Sequence, residues 1–553
     1  MSCWKNPMAA SQSPGEPPVD SADTEHEEKQ TPNSTLSTDA DGTSISDKSD
    51  KEVDVRIDPD VERGIPIINT TDDIDEEKQP DATATERDPN VVDWDGPNDP
   101  EKALNWPNKM KWGNVAVISS VTFLTPLASS MVAPAVPLVM KEFHATDGTI
   151  ASFIVSIYVL GYAIGPLFLA PMSEVYGRLP VYHSCNFLFV VWSLACALAP
   201  NIGGLLVFRL LAGIAGSCPI TIGGGSIADL IPQEKRGAAM ALFAMGPILG
   251  PVIGPVAGGY LAEAAGWRWV FWLITIANDF KGGVALGFSL LFLRETYEPI
   301  LLEKRTKRLR KETGNPDLRS KLDKQIPTRE YFLRAIVRPS KMLLLSPIVL
   351  SLSIYMAVVY GYLYLLFTTL TMVFEGTYHF SQGAVGLAFL GIGIGSLFGL
   401  VIFGALSDRT VKRLAAKGEM KPEYRLPPLI PGSLIIPVGL FWYGWSAHAA
   451  IHWIMPIIGT LFVGLGLMAT FMPIQTYLVD AYHLHAASAL AASTVIRSFV
   501  GAFLPLAGPE MYKQLGLGWG NSLLAFIALA LSPVSWILYR YGEKIRKAER
   551  VDF

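Results

Sequence analysis

Long apolar runs separated by polar segments dominate this chain from residue 113 onward. An α-helix rises about 1.5 Å per residue, so crossing a bilayer takes about 20 apolar residues. Twelve runs come close to or exceed that length, six on each side of the polar stretch 294–345. They cover 113–139, 149–171, 181–199, 203–228, 238–262 and 268–293, then 346–374, 383–406, 427–446, 452–479, 486–508 and 518–540. The pattern predicts an all-α integral membrane protein with twelve transmembrane helices in two six-helix bundles.

A short signature recurs at a spacing of 234 residues, at the ends of the second and eighth runs. The first copy is Gly161, Gly165, Ala170, Met172, Ser173, Glu174 and Arg178; the second is Gly395, Gly399, Gly404, Leu406, Ser407, Asp408 and Lys412. Side-chain size and charge sign agree at every position. Internal repeats of this kind are typical of secondary transporters, whose halves move about a shared site near the bilayer midplane. We therefore expect the two bundles to be related by a pseudo-two-fold axis.

The net charge of the first 100 residues is opposite in sign to that of the rest of the chain. Residues 1–100 hold 26 acidic and 8 basic side chains, a net −18, so with −5 for the whole chain the remainder carries +13. The acidic segment lacks apolar periodicity and cannot bury enough surface to offset its ordering entropy. We expect residues 1–92 to form a disordered cytoplasmic tail, without a cleavable signal peptide because no apolar run follows its start.

Basic residues mark one side of the membrane. The stretch 294–345 holds 14 Lys and Arg and the loop 407–427 holds 6, whereas loops on the other side offer little beyond Lys141 and Lys513. Short loops rich in Lys and Arg stay in the cytoplasm, so both termini should be cytoplasmic. The predicted division is a bundle at 93–293, a basic cytoplasmic linker at 294–345, a bundle at 346–541 and a cytoplasmic tail at 542–553.

The fifth run repeats glycine and proline every four residues. The stripe consists of Gly246, Pro247, Gly250, Pro251, Gly254, Pro255, Gly258 and Gly259. Residues four apart share a helix face; each proline removes a backbone hydrogen bond and each glycine admits another helix. We expect a bent, closely packed span, answered in the eighth run by a stripe of Gly391, Gly395 and Gly399. Ordinary packing of small residues is the alternative.

Together these features resemble the major facilitator superfamily, specifically its fungal 12-span drug:proton antiporters of the multidrug or polyamine type, over residues 93–541. The resemblance rests on the stretches 99–107, 170–178, 246–259, 267–272, 294–305, 477–482 and 509–520, and on Arg209 with Gly213 and Gly216. The family's loop motif begins with Gly and carries Asp then Arg, whereas this chain has Ala170, Glu174 and Val175. Glutamate keeps the charge, but Val175 removes one ion-pair partner.

Charged residues at the predicted inner mouth are candidate gates. Glu174 and Arg178 can bridge to neighbouring helix ends in one conformation and release them in the other, and Asp408 and Lys412 would do the same in the second half. Such a latch needs a bias of only a few kcal/mol. The alternative is that these side chains merely extend to the interface and set topology.

Arg209 and Asp279 are the candidates for proton coupling. Arg209 lies inside the fourth run, where a guanidinium costs about 2.5–3.5 kcal/mol unless it is paired; the resemblance implies that it acts on the pKa of an acidic partner. Asp279 lies near the middle of the sixth run, two residues from Lys281, so the two point to different sides. Static structural pairs are the alternative, and Arg497 in the eleventh run raises the same question.

By resemblance, spans 1, 4, 7 and 10 line the substrate cavity. Span 7 offers Tyr360 and Tyr364 on one face, and span 10 offers Phe471 and Gln475. Aromatic walls with few polar anchors suit a bulky amphipathic or cationic ligand. Ordinary aromatic packing between helices is the alternative.

The sequence thus predicts a secondary active transporter that exports small organic molecules (drugs, toxins, secondary metabolites or polyamines) in exchange for protons. No phosphate-binding glycine loop, metal-ligand spacing or nucleophile constellation occurs, so we expect no enzyme activity, cofactor, metal or nucleic-acid partner. The expected partners are a small-molecule substrate, protons and the lipid bilayer, for a monomer in the plasma membrane or, alternatively, the vacuolar membrane. Uptake by symport and a transporter-like nutrient sensor are the other functions that the sequence allows.

Overall fold

The computed structural model describes residues 90–232, 237–280, 293–322, 328–416, 420–482 and 486–548. The first half consists of α1 (Asn108–Ser130), α2 (Val136–Glu142), α3 (Gly148–Val175), α4 (Arg178–Ala197), α5 (Ile202–Gly216), α6 (Cys218–Leu230), α7 (Gly237–Ala265) and α8 (Trp267–Phe280). The linker holds α9 (Glu298–Thr313) and α10 (Thr328–Leu345). The second half consists of α11 (Pro347–Tyr378), α12 (Gln382–Ala388), α13 (Leu390–Ala415), α14 (Leu429–His448), α15 (Ile454–Tyr482), α16 (Ala486–Phe503) and α17 (Gly508–Ala548).

Ten of these helical stretches are long and apolar enough to cross a membrane. The last, Ala486–Ala548, has 63 residues; at roughly 95 Å it is long enough for two crossings, and the turn Leu504–Ala507 divides it. The shorter apolar helix Trp267–Ala277 occupies the start of the predicted sixth run. Every predicted run is therefore represented, which confirms the all-α membrane fold.

The sequence repeat corresponds to one packing arrangement used twice. In the first half, Gly161 of α3 faces α5, and a Cβ on it would lie 2.5 Å from the carbonyl carbon of Gly213. In the second half, the matching Gly395 of α13 faces α15, and a Cβ there would lie 2.8 Å from the carbonyl carbon of Leu461. Because no side chain larger than hydrogen fits, these glycines let the paired helices touch through their backbones.

The residues that precede α1 are packed on the linker helix α9. Two short parallel strands, β1 (Val91–Val92) and β2 (Arg319–Ser320), join the two segments. The Trp94 indole donates to Glu298 at 2.7 Å, and Arg305 forms ion pairs with Asp95 and Asp99. The end of the bundles that carries α9 and residues 94–107 is called the linker face below, and the other end the opposite face. The expected tail, 1–92, lies outside the described residues except for its last three.

Close contacts between the halves lie at the opposite face. The backbone N–H of Gly383 donates to Glu263 Oε2 at 2.7 Å, and a Cβ on Gly148 would lie 3.1 Å from Pro509. A cavity of about 340 Å³ opens between α2 and α3 of the first half and α11 of the second. Separating the halves at this face requires that these contacts break.

Candidate substrate cavity and coupling residues

Arg209, which the sequence predicts for proton coupling, is buried and donates several hydrogen bonds. It lies on α5 and is only 1% exposed. Its guanidinium donates to four backbone carbonyl oxygens, those of Ile154 at 3.1 Å, Ala128 at 3.0 Å, Ser129 at 3.1 Å and Val155 at 3.2 Å. A buried guanidinium needs such acceptors because losing water costs several kcal/mol. Arg209 thereby joins α5 to the end of α1 and to the second turn of α3.

The sequence led us to expect an acidic partner for Arg209. The structure instead gives it carbonyl oxygens, the Tyr158 ring at 5.0 Å from its central carbon, and no ion pair within the described ranges. Beside it lies a cavity of about 10 Å³, lined by Tyr158, Cys196, Phe271 and other residues, which is room for about one water molecule. A part for Arg209 in proton coupling therefore stays a prediction.

A second membrane-embedded arginine, Arg497 of α16, brings the predicted cavity residues together. Its central carbon lies 5.2 Å from the centre of the Tyr360 ring and 5.1 Å from that of Phe471. Gln475 approaches the same place, since its amide nitrogen lies 3.7 Å from Met356 Sδ, which lies 4.0 Å from Arg497 Nη1. Helices α11, α15 and α16 thus meet around one cation. Spacing along the sequence gave no means of assigning Arg497 to this group.

Tyr364 links the cluster to the first half. Its ring lies 5.1 Å from that of Tyr360, and its hydroxyl shares a hydrogen bond of 2.9 Å with Ser129 Oγ. The carbonyl oxygen of Ser129 accepts from Arg209. A continuous chain of contacts therefore runs between the two embedded arginines, across the junction of the halves. Any relative movement of the halves must change it.

At the linker face, Arg178 begins α4 and joins three elements. Its side chain lies 3.4 Å from Asp229 of α6 and donates to Ser173 of α3 at 2.7 Å. Glu295 accepts from the backbone N–H of Arg178 at 2.9 Å and so caps α4. Glu174 lies half-buried near the end of α3. Of the gate residues predicted for the first half, Arg178 is therefore held by Asp229 and Glu295, which sequence reasoning missed.

The second half repeats the latch with a different residue. Arg425 pairs with Asp480 of α15 at 2.8 Å and with Asp408 of α13 at 3.0 Å. Lys412, expected to match Arg178, is exposed and forms no ion pair with another residue that the structure describes. Arg425 therefore occupies the place of Arg178. One feature of the sequence could have indicated the acidic partners: Asp229 and Asp480 directly follow the fourth and tenth runs, which correspond in the two halves.

The glycine stripe of α7 packs along α1. A Cβ on Gly246 would lie 2.9 Å from the Phe123 backbone nitrogen, one on Gly250 2.8 Å from that of Leu127, and one on Gly254 2.8 Å from the Leu127 carbonyl oxygen. Gly258 continues the stripe to Met131, whereas Gly259 faces Gln382 in the other half. The stripe Gly391, Gly395 and Gly399 faces α15 rather than α7.

Other small residues make the junction between α7 and the second half. A Cβ on Gly386 would lie 2.5 Å from the Pro255 carbonyl oxygen, and Gly393 faces Val252.

The remaining candidate for proton coupling, Asp279, is in the last turn of α8, and its side chain and Lys281 lie outside the described residues. In the described part of the chain, no group of His, Cys, Asp and Glu could hold a metal ion.

Comparison with known proteins identifies the architecture. Residues 118–505 match the Major Facilitator Superfamily. An inward-open structure of the xylose transporter XylE from E. coli has a TM-score of 0.58 at 16% identity, over 77% of this chain and 95% of that one. At that identity the match concerns the fold alone.

Fungal relatives are much more similar. The chain is 59% identical to MFS transporter cpaT of Aspergillus oryzae, over 83% of this chain and 92% of that protein. It is 53% identical to efflux pump radE of Floropilus chiversii, over 84% and 86% respectively. The chain therefore belongs to the Major Facilitator Superfamily, as a multi-pass membrane transporter of the fungal type and not an enzyme.

Proposed function

We propose that the protein exports small organic molecules in exchange for protons by alternating access. The observation that carries the proposal is the aromatic and cationic cluster at the junction of the halves, connected through Tyr364 and Ser129 to Arg209. Transporters of this architecture bind substrate between their halves. The direction of transport is supported by the relative named as an efflux pump.

The linker face is the cytoplasmic face in this proposal. It carries α9, with Lys304, Arg305, Lys307, Arg308, Arg310 and Lys311, and cytoplasmic loops are rich in such residues. Both termini are then cytoplasmic, and the protein acts as a monomer in the plasma membrane. The opposite face, where Glu263 holds Gly383, is the exit gate.

The energy of proton entry suffices for export. A proton that crosses about 100 mV releases about 2.3 kcal/mol, and one pH unit adds about 1.4 kcal/mol. The sum supports a gradient of several hundred-fold for a neutral solute exchanged for one proton. Arg209 and Asp279 are the residues that we propose for coupling, and Glu174, Arg178, Asp408 and Lys412, with Arg425, for gating.

The test is to express the full chain in a yeast host that lacks its own drug exporters and to measure retention of a panel of radiolabelled drugs, polyamines and fungal metabolites. We expect the protein to lower the retention of at least one compound, and a protonophore to abolish the effect. Export that persists unchanged with the protonophore would contradict proton coupling. In inside-out vesicles, substrate should enter when the lumen is acidified; loss of substrate instead would indicate uptake by symport.

The host also tests the sensor alternative. Deleting residues 1–89 should leave export intact, because every residue proposed for the cavity, for gating and for coupling lies after residue 89. For a sensor that signals through this acidic tail, the same deletion should abolish signalling, and a full-length protein that signals to the cell but changes no compound's retention would reject the transport proposal.

A further inference from the structure

We propose that Arg497 is the anion-binding group of the substrate cavity and that the substrate carries a carboxylate or an equivalent acidic oxygen on an apolar body. This inference rests on the proposed function and names the substrate class for the same site. It starts from a difference between the two arginines that lie inside the membrane-spanning bundle.

Arg209 and Arg497 both lie inside apolar runs but differ in hydrogen bonding. The guanidinium of Arg209 donates to four carbonyl oxygens. Arg497 Nε is buried without an acceptor, and Nη1 reaches only Met356 Sδ at 4.0 Å, a weak acceptor. No carboxylate lies within ion-pair distance of Arg497 in the described ranges. Its donors are therefore available to a ligand.

The surroundings of Arg497 hold it in place without neutralising it. Tyr360 and Phe471 each present a ring to the guanidinium at about the same distance, 5.2 Å and 5.1 Å, and such contacts orient a cation but leave its edge donors free. Arg497, Tyr360, Phe471 and Gln475 are all partly accessible, whereas Arg209 is 1% exposed. The exposed parts of these four side chains give a ligand surface to contact, while Arg497 Nε itself is buried.

Charge decides the substrate class. An uncompensated guanidinium inside a bilayer is costly, and a ligand that supplies the missing anion gains a charge-assisted, two-pronged hydrogen bond. The Gln475 amide can donate beside it, and the rings offer apolar surface to the rest of the molecule. A cationic ligand would meet a like charge without a described counter-ion, so the cavity disfavours the cations and polyamines that the aromatic residues alone allowed.

The experiment measures binding to the purified full-length protein in lipid nanodiscs at neutral pH. Three probes share one ring system and differ in charge: 2-naphthoate, 2-naphthamide and 2-naphthylmethylammonium. Wild-type protein should bind the naphthoate at least tenfold more tightly than the other two. Arg497→Gln should weaken naphthoate binding at least tenfold and change binding of the amide little, while Arg497→Lys should keep part of the preference.

Arg413→Gln, at an exposed arginine of the linker face, is the matched control and should bind like the wild type. Thermal unfolding of Arg497→Gln shows whether the variant folds; an anion-binding role predicts unchanged or higher stability without ligand, since an unpaired charge is removed. Strongly lowered stability would indicate a structural role instead. Naphthoate binding that is absent, or equal in wild type and Arg497→Gln, overturns the inference.

The experiments distinguish failure of the anion-site proposal from failure of the export proposal. If Arg497→Gln binds all three probes like the wild type and the cells still export through a protonophore-sensitive route, the anion site is wrong and the export proposal stands. If the naphthoate preference depends on Arg497 but no compound's retention responds to a protonophore, the site stands and proton-coupled export is wrong.

Discussion

For Arg209 and Arg497, the sequence shows that a charged residue lies inside a span but does not show its partners. Their position inside apolar runs is visible in the sequence, and the cost of burying a guanidinium implies a role for each. Their partners are not visible. Arg209 uses backbone carbonyls, which every residue has, and so no spacing of acidic residues could have indicated them.

We predict that Arg209→Ala destabilises the fold. The substitution removes the four hydrogen bonds by which the guanidinium joins α5 to α1 and α3, and a hydrogen bond from a charged group contributes about 1.5–3 kcal/mol. Thermal unfolding in detergent should show a clear loss relative to wild type, with Arg413→Ala as the control at an exposed position. Equal unfolding temperatures for Arg209→Ala and wild type would show that the carbonyl contacts contribute little.

The latch residues show a limit of the repeat. The 234-residue spacing placed Asp408 at the inner end of the second half, where Asp408 forms an ion pair, but it paired Arg178 with Lys412. The contacts pair it with Arg425, because the cation that reaches the acidic residue follows a longer loop in the second half. A fixed spacing cannot follow an insertion in a loop.

At the scale of elements, the stripe of α7 was predictable as close packing but its partner was not. Glycines four residues apart predict a flat helix face, and α1, which has no such stripe, occupies it. The neighbour is set by the arrangement of the whole bundle.

Gly254→Ala tests that packing. A Cβ there lies 2.8 Å from the Leu127 carbonyl oxygen and closer still to Ser130, and overpacking of this kind costs about 1–3 kcal/mol. We expect lower thermal stability and reduced transport. Gly404→Ala is the matched control, because nothing lies within 4 Å of that Cβ, and it should be neutral or stabilising by up to about 1 kcal/mol. Equal thermal stability and equal transport for Gly254→Ala and Gly404→Ala would contradict the close contact of α7 with α1.

The linker helix offers a test outside the membrane. Burial raises the pKa of Asp99, but the backbone N–H groups of Asp95 and Glu101 and the Arg305 guanidinium outweigh burial and bring the pKa below 3.8. A lowered pKa means that the stabilisation is present above pH 3.8 and is lost as pH falls through the folded-state value. Docking of α9 should therefore not change between about pH 5 and pH 8.

Asp99→Asn should undock α9 from the segment before α1. The readout is the rate of tryptic cleavage at the lysines and arginines of α9, which should rise at neutral pH. Asp317→Asn, at an exposed carboxylate of the same linker, should leave the rate unchanged. Cleavage of the wild type that already increases between pH 8 and pH 5 would disagree with the lowered pKa.

At the scale of the whole molecule, the sequence was most informative. Runs of about 20 apolar residues are imposed by bilayer thickness, so the all-α membrane fold could be predicted without any tertiary contact. Breaks within a span could not be predicted: the fourth predicted span consists of two helices, α5 and α6, that meet at Ser217. The contacts of Glu263 and Gly383 across the halves also depend on the conformation adopted, which composition does not determine.

The central claim is that the halves separate at the opposite face in each transport cycle. The most direct test places Glu263→Cys and Ser381→Cys, whose side chains are hydrogen-bonded at 3.0 Å, in a background without Cys3, Cys185, Cys196 and Cys218. A reducible bifunctional thiol reagent (a bis-methanethiosulfonate) joins the two cysteines across the gap that the longer native side chains fill, because a direct disulfide needs Cβ atoms within about 4.5 Å; a reductant releases the halves. The control pair, Lys421→Cys with Glu543→Cys, replaces an ion pair of 2.7 Å inside the second half.

The measurement is export of the compound whose retention the wild-type protein lowers most. We predict that crosslinking of the Glu263→Cys/Ser381→Cys pair stops export and that the reductant restores it, while the crosslinked control pair continues to export. Undiminished export with the halves joined would contradict alternating access in this protein.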